Sequence, residues 1–528
     1  MSEMKTGIEK VDKEVGRAGD SILPFLLEHA KKRAVSFHMP GHKGSKIFER
    51  FGYGDFFRRI ADCDITEIRG ADNLFRAESI IDATMERYRK LYGSRRSYLL
   101  INGSSCGLIA AILTLTRRGD KIIMARNSHK SVFSGVETAE AIPVYAYPEM
   151  LGSYGITGKI SAEEIERLLV ENPEAKCVVL PSPNYYGICS EIEAVAGVCH
   201  GHGAKLIVDQ AHGAHLIFME RNLSAELSGA DIVIDSIHKT LCSFTQSAIV
   251  NVMSDDIDVD VLEENLQKME STSPSYLLMG SLDINADIIE KHGEDLFAEW
   301  GENLDHFYGE AKKIKGLKII DDEFLDRTKI NIDMSALGYS GYDLENIMIA
   351  SGLYPELVTA DILMCMTGIG NRREDYDKLL DVLRELPPRI GAGRRACSGN
   401  ADIGMNKRSI MQTNEIARDS FSEGKNKEIV CDSISEDKDS EIARDSISED
   451  KDSEIAYTPI PGEKRRIPLC EAEGEICAQA LVPYPPGIPE ICPGEKFTKE
   501  LVDGLLSMRQ NGVNIIGISG AGTVSVKK

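Results

Sequence analysis

The stretch GADIVIDSIHKTLCSFTQSA (residues 229–248) decides how this chain is read. Val233 and Ile234 sit in an apolar run, residues 230–237, interrupted by Asp231, Asp235 and Ser236, which reads as a buried strand. Beyond it Ser236, His238, Lys239 and Thr240 crowd together where the strand is expected to give way to a loop. An amine held between hydroxyls and an imidazole at a strand end suits a lysine kept for chemistry. Burial lowers a lysine's pKa, and such lysines form Schiff bases. On these residues alone, a surface lysine following a strand is an equal alternative.

Upstream the same texture recurs. SYLLI (97–101), KIIMA (121–125), PVYAY (143–147), KCVVLPSP (176–183) and KLIVDQAH (205–212) are apolar runs. Between them lie helical stretches such as CGLIAAILTLT (106–116) and one near residues 129–140. Strands alternating with helices imply an α/β domain with a mostly parallel central sheet. Ligands of such sheets sit beyond the carboxyl ends of the strands. Residues 102–105, His129, residues 184–186, Asp209, His212 and residues 236–239 all fall there.

The remainder divides by composition. Residues 1–36 read as a helical arm with Ile22, Leu23, Phe25, Leu26 and Leu27 as its apolar positions, and residues 37–270 as the large domain. Residues 271–390 read as a smaller α+β domain, with helices near 283–313 and 341–352 and strands at LKII and KINID. Residues 391–457 hold a tandem repeat, EIVCDSISEDKDS then EIARDSISEDKDS, and residues 415–454 carry 14 acidic against 6 basic side chains. A period of 13 is too short for a solenoid unit, and so few apolar groups cannot offset ordering entropy, so a disordered acidic linker is expected. A last domain, 458–528, carries LVPYPPGIPEICPGE and an amphipathic helix near 498–510.

Composition limits the partners. A net charge of −23 opposes both nucleic acid, which needs a basic face, and an anionic membrane surface. No uninterrupted apolar stretch reaches the ~18 residues of a membrane span, and the start MSEMKTGIEKVDKEVG has no apolar h-region. Twelve scattered cysteines without a Cys-x-x-Cys pair fit reduced thiols in a cytoplasm.

The turn NGSS (102–105) opening a helix offers backbone N–H groups and the hydroxyls of Ser104 and Ser105 to a phosphate, or else is a good N-cap. Ser236 and His238 could add donors. Asp209 could be an N-cap, a metal ligand, a Walker-B-type aspartate, or the partner of a heterocyclic nitrogen. Asp209, His212 and His215 have ligand chemistry but lie on a loop, without the i, i+4 helical spacing, and no metal is assigned. The nucleotide readings fail on context. GSYGITGKI (152–160) has the wrong P-loop spacing and lacks the hydroxyl for Mg²⁺, and GAGRRA (391–396) follows no strand. Pyridoxal phosphate would use all the parts: an aldehyde for Lys239, a phosphate for NGSS with Ser236 and His238, a pyridine nitrogen for Asp209, and a ring face for His129. An aspartate at that nitrogen keeps the ring an electron sink.

The motifs HMPGHKG (38–44), DITEIRGADNLF (64–75), NGSSCG (102–107), NSHKSV (127–132), PNYYGIC (183–189), DQAHGAH (209–215), SIHKT (236–240) and YPPGIPEICPGE (484–495) run in order along the chain. With them it resembles the bacterial ornithine/lysine/arginine decarboxylase family of pyridoxal-phosphate enzymes. The resemblance implies the aspartate-aminotransferase-like architecture (fold type I). It implies Lys239 as Schiff-base lysine, Asp209 on the pyridine nitrogen, and His129 over the ring. Ser104, Ser105, Ser236 and His238 would hold the phosphate, and Ala211 and His212 would line the ring pocket. The implied reaction is decarboxylation of a basic amino acid, arginine to agmatine in the polyamine pathway, with lysine or ornithine as alternatives. An aminotransferase or a non-catalytic regulatory homologue are further alternatives on the same fold.

Where the family usually has Asp-Glu-Ala-His, Gln210 replaces the glutamate, and Asn184 stands where threonine is commoner. The repeat linker is an insertion, and the arm is too short for the receiver-like wing of the large members. The resemblance is to the compact type, a cytoplasmic homodimer or dimer of dimers with shared active sites. A basic substrate needs a carboxylate for its distal cation. The candidates are Asp64, Glu67, Glu356 (in LYPELVTADIL) and Glu495.

Overall fold

The computed structural model describes residues 22–152, 154–320, 322–359, 361–389, 464–484 and 487–528. The repeat linker and most of the arm lie outside these residues. The arm's helix, Ile22–Lys32, leaves Ile22, Leu23, Phe25, Leu26 and Leu27 exposed.

The runs rich in valine, isoleucine and leucine become a seven-stranded sheet. In chain order its parts are α1 (Ile80–Tyr92), β1 (Arg96–Leu100), α2 (Gly103–Leu115), β2 (Lys121–Ala125), α3 (Lys130–Ala139), β3 (Ile142–Ala146), α4 (Ala162–Glu171), β4 (Cys177–Pro181), α5 (Ile192–Gly201), β5 (Lys205–Asp209), β6 (Ile232–Asp235), α6 (Ile237–Thr240) and β7 (Ala248–Val252). The sheet order is β1-β7-β6-β5-β4-β2-β3. β7 runs antiparallel to both neighbours and the other pairings are parallel. Leu206, Ile207, Val208, Val233 and Ile234 have no exposed surface, because helices cover both faces. Full burial of each such side chain contributes about 1.5–3 kcal/mol.

The stretch after β6 departs from the sequence reading. Where a loop was expected, Ser236 starts one turn of helix, α6, closed by Lys239 N–H to Ser236 O (3.1 Å) and Leu241 N–H to Ile237 O (3.0 Å). The antiparallel β7 was not anticipated either, since periodicity carries no strand direction.

After α7 (Val259–Met269) comes α8 (Tyr276–Ala311), which starts earlier than the expected 283 because Ser275 caps it. Asn285 of α8 accepts Cys242 N–H at 2.9 Å and so holds the end of the α6 turn. The smaller α+β part has β8 (Lys318–Ile319), β9 (Lys329–Asp333), α9 (Gly341–Ala350), β10 (Leu357–Val358), β11 (Ile362–Met366) and α10 (Arg373–Arg384), with antiparallel order β8-β9-β11-β10. The C-terminal part has β12 (Lys464–Pro468), β13 (Val482–Tyr484), α11 (Lys499–Gln510), β14 (Asn514–Ile516) and β15 (Thr523–Lys527) around its own apolar cluster. Among the described residues no helix is long and apolar enough to cross a membrane.

Two contacts fix these parts around the sheet's carboxyl edge. In the first, the HMPGHKG loop packs main chain on main chain against α6. Gly41 N–H reaches His238 O at 2.7 Å, Gly370 N–H reaches Gly41 O at 3.1 Å, and Ile369 N–H reaches Thr240 O at 3.0 Å. A Cβ on Gly41 would stand 2.2 Å from the Thr240 carbonyl carbon. In the second, Arg126, after β2, clamps the C-terminal part. It holds Glu495 through Nε (3.1 Å) and Nη2 (2.9 Å), and its Nη1 donates to Pro489 O at 2.8 Å.

Gly41→Ala is therefore expected to lose roughly 1–3 kcal/mol of stability, the range for overpacking, in a urea titration. An unchanged midpoint would mean that loop and turn are not in main-chain contact. Glu495→Gln leaves a buried guanidinium half-paired and is expected to cost about 3 kcal/mol, with faster hydrogen exchange across residues 487–495. Unchanged stability with only a weakened KM would make Glu495 a substrate acid instead.

Candidate active site

Lys239 stands on α6 with its side chain turned into the space beyond the strand ends. Its Nζ lies 3.0 Å from Nε2 of His212, which follows β5. Burial first, opposed by the charges of Asp209 and Glu356, brings the amine down to about 8. Asp209 closes β5, is almost wholly buried, and accepts Ala211 N–H at 3.2 Å. Burial raises its pKa and the charge of Lys239 opposes that rise. Ala211 beside it is 5% exposed.

The two expected hydroxyl sources meet. Ser236 Oγ donates to Ser104 Oγ at 2.9 Å, joining the turn after β6 to the first turn of α2. The positive φ of Gly103 (+76°) makes the tight entry to that helix, and Ser105 follows in the same turn. Glu270 braces the entry from below by accepting Ile101 N–H (3.0 Å), Asn102 N–H (3.4 Å) and the Cys106 thiol (3.2 Å). His238 donates from Nδ1 to Ser247 O at 2.9 Å, and burial lowers it to about 4.

His129 is the N-cap of α3. Its Nδ1 accepts Ser131 N–H at 3.2 Å, which leaves the proton of the neutral ring on Nε2. Burial, then the charge of Lys239, holds its pKa at about 3. The C-terminal part covers this ring. Lys130 N–H donates to Gly487 O at 2.9 Å, and a Cβ on Gly487 would stand 2.9 Å from His129 Nε2.

Of the four candidate substrate acids, Glu356 is drawn into this space. It accepts Met39 N–H at 2.9 Å and Tyr185 O–H at 2.7 Å, and its charge acts on both Lys239 and the buried Lys43. Asp64 and Glu67 lie exposed on the segment before α1, away from these contacts. Asp72 of that segment is a staple: it accepts the N–H groups of Asn73, Glu78, Ser79 and Ile81. Glu495 is engaged by Arg126. His200 pairs with Asp231 and His215 with Asp326, and the described residues hold no cluster of three or more metal-type ligands.

Sequence reasoning missed Lys329. It opens β9, is fully buried, and donates from Nζ to Asp326 Oδ2 (2.6 Å) and to the carbonyl of His212. A lysine beginning the apolar run KINID was the available signal. It also missed the buried Lys43, which donates from Nζ to the carbonyls of His38 and Met366, and Gly487, which accepts Lys130 N–H from far along the chain.

The arrangement is thus a buried amine facing a buried carboxylate, an anion-suited helix entry, and three neutral imidazoles, those of His129, His212 and His238. A match to the Orn/Lys/Arg decarboxylase major domain spans residues 22–332, and one to the C-terminal domain of that family spans residues 448–517. An arginine decarboxylase of Bacillus subtilis is 27% identical over 507 residues, covering 93% of this chain and 94% of that protein. The Francisella novicida lysine decarboxylase LdcF superposes with a TM-score of 0.67 at 20% identity, covering 97% of this chain and 80% of that one. Serine palmitoyltransferase of Sphingomonas wittichii gives 0.53 at 17% identity, covering 68% and 86%. The fold is that of type I pyridoxal-phosphate enzymes, α/β with a mostly parallel central sheet. By its matched domains, the chain belongs to the Orn/Lys/Arg decarboxylase family.

Proposed function

We propose that this chain decarboxylates a basic amino acid, arginine to agmatine and CO₂ in first place, with pyridoxal 5'-phosphate as cofactor. The observation that carries the reading is the buried amine of Lys239, set between Asp209, His212 and Glu356. The arginine decarboxylase of Bacillus subtilis, matched nearly end to end, supports the choice of substrate.

The residues fit the cofactor. Asp209 is a buried carboxylate at a cost that a cationic ring nitrogen would offset. The joined hydroxyls of Ser104 and Ser236 at the start of α2 suit a phosphate. His212 Nδ1 is buried without a hydrogen-bond partner among the described residues. Ser104, Ser105, Ser236 and His238 would hold the phosphate, Asp209 the ring nitrogen and Lys239 the aldehyde carbon, with Ala211, His212 and His129 lining the ring. When bound, the group supplies a sink for the electron pair left by departing CO₂.

The chain's own residues do the rest. Lys239, lowered to about 8, offers a neutral amine just above neutral pH, which a surface lysine does not. Tyr185 and the Met39 N–H fix the carboxylate plane of Glu356, so that a distal guanidinium or ammonium meets an oriented acid. A second copy of the chain belongs to the reading. The segment bearing Asp64 and Glu67 also exposes Ile60, Ile65, Ile68 and Ile80, apolar surface that a partner would cover.

The test is to incubate the purified chain and cofactor with arginine, lysine and ornithine and to measure CO₂ and the amine formed. Agmatine and CO₂ are expected, and Lys239→Ala abolishes both. Keto acid without CO₂ would make the protein an aminotransferase, and no product would end the enzymatic reading. Glu356→Gln removes a charge-assisted bond, so the KM for arginine rises roughly 10–100-fold with kcat less affected. An unchanged KM assigns the distal cation elsewhere.

A further inference from the structure

Lining the ring leaves unexplained why His212 is held so firmly. The imidazole is 8% exposed, and the Tyr185 ring meets it edge-on with centroids 4.7 Å apart. Its carbonyl oxygen accepts Nζ–H of Lys329 from the smaller α+β part. Lys329 is anchored on Asp326, which also takes Nε2–H of His215 at 3.1 Å and Thr328 N–H at 3.0 Å. A buried ion pair of this kind adds little stability over an apolar pair, but it sets a position. The DQAHGAH loop is thus pinned at both histidines, and the ring of His212 is aimed at α6.

We propose that His212 is the docking place of the Lys239 amine whenever that amine is not bonded to the cofactor. His212 is a positioning residue, accepting one N–H of Lys239 at Nε2. The inference rests on the reading of Lys239 as the cofactor-binding lysine. An incoming substrate amine sets Lys239 free, and the freed amine must stay within reach to act again. An acceptor at Nε2 requires a neutral ring protonated on Nδ1. Burial first, then the charges of Lys239 and Lys329, against that of Asp326, hold His212 well below its ordinary pKa. The groups facing Lys239 are Asp209 and Glu356, which favour its charge, Lys329, which opposes it, and the imidazoles of His129, His212 and His238, whose pKa its charge lowers.

The proton that the substrate's ammonium group sheds on entry passes to the freed amine, and docked there as an ammonium Lys239 keeps two N–H groups for the substrate side. When the Cα–CO₂ bond breaks, the electron pair left on Cα takes a proton from Nζ and forms the new C–H bond. The N–H pair stays on Nζ, and Lys239 becomes the neutral amine that releases the product. His212 keeps its own proton throughout.

The experiment is competitive acetylation of the full chain freed of cofactor, following Lys239 by mass spectrometry against pH. In the parent the midpoint is expected near about 8. His212→Leu and His212→Asn remove an acceptor within reach, so the midpoint falls by roughly one pH unit. In His212→Gln the amide oxygen reaches the amine and restores the midpoint to within ~0.3 of the parent. Thermal melts run alongside, and if His212→Leu does not fold, His212→Asn decides. An Asn midpoint equal to the parent's, or a Gln midpoint as low as Asn's, overturns the docking role. The decarboxylase reading fails separately, through the absence of a cofactor mass gain on Lys239 after borohydride in the loaded parent.

Discussion

The structure turns on one steric constraint: α6, the Gly41 turn and the Gly368–Gly370 turn are packed on one another, main chain against main chain. Gly41 lies on Thr240, and a Cβ on Gly368 or Gly370 would strike the Gly41–His42 backbone at 2.5 and 2.2 Å. Side chains in such a contact could adjust their rotamers, whereas backbone cannot, so Lys239 inherits a position fixed from two remote parts of the chain. The price is stringency at those glycines. In return the lysine reaches its neighbours without choosing among conformers, which is how binding geometry becomes rate.

Burial around that lysine works in one direction. It lowers Lys239, His129, His212 and His238 and raises Asp209, so three neutral imidazoles surround an amine brought down to about 8. Charge is concentrated instead in the Asp326–Lys329 pair, one layer behind His212. Ligand binding thus meets fixed donors and acceptors rather than loose charges, the condition under which electrostatic stabilisation is effective.

The sheet, and the edge at which the candidate residues gather, were legible in the sequence, because apolar periodicity and strand-end chemistry are local signals. Asp209, Ser104, Ser236 and Lys239 could be gathered at one edge because parallel strands align their carboxyl ends. What stayed hidden was set by long-range contact. Nothing local marks Glu356 as the acid near Lys239 and Glu495 as the partner of Arg126. Both are glutamates in turn-rich surroundings, and only packing separates them. The one-turn helix at α6 was hidden for a similar reason: a four-residue helix is held by tertiary contact, too short to be stable by propensity.

Gln210, the neutral amide of DQAHGAH, has a physical reading. Its Oε1 accepts Ala225 N–H at 2.8 Å, which directs its amide nitrogen to Glu226 Oε2 (2.8 Å) and Asp235 Oδ1 (2.9 Å). Asn251, oriented by Ser97 Oγ at 2.6 Å, donates to the other oxygens of both acids at 3.3 and 3.1 Å. Burial first, then the charge and hydrogen bond of Glu226, push the Asp235 carboxyl well above its ordinary range. A glutamate at 210 would remove both N–H donors and add a third acid to the same enclosure. Neutrality at 210 is therefore coupled to the acids at 226 and 235. That coupling sits directly beneath the turn that carries Ser236 and Lys239.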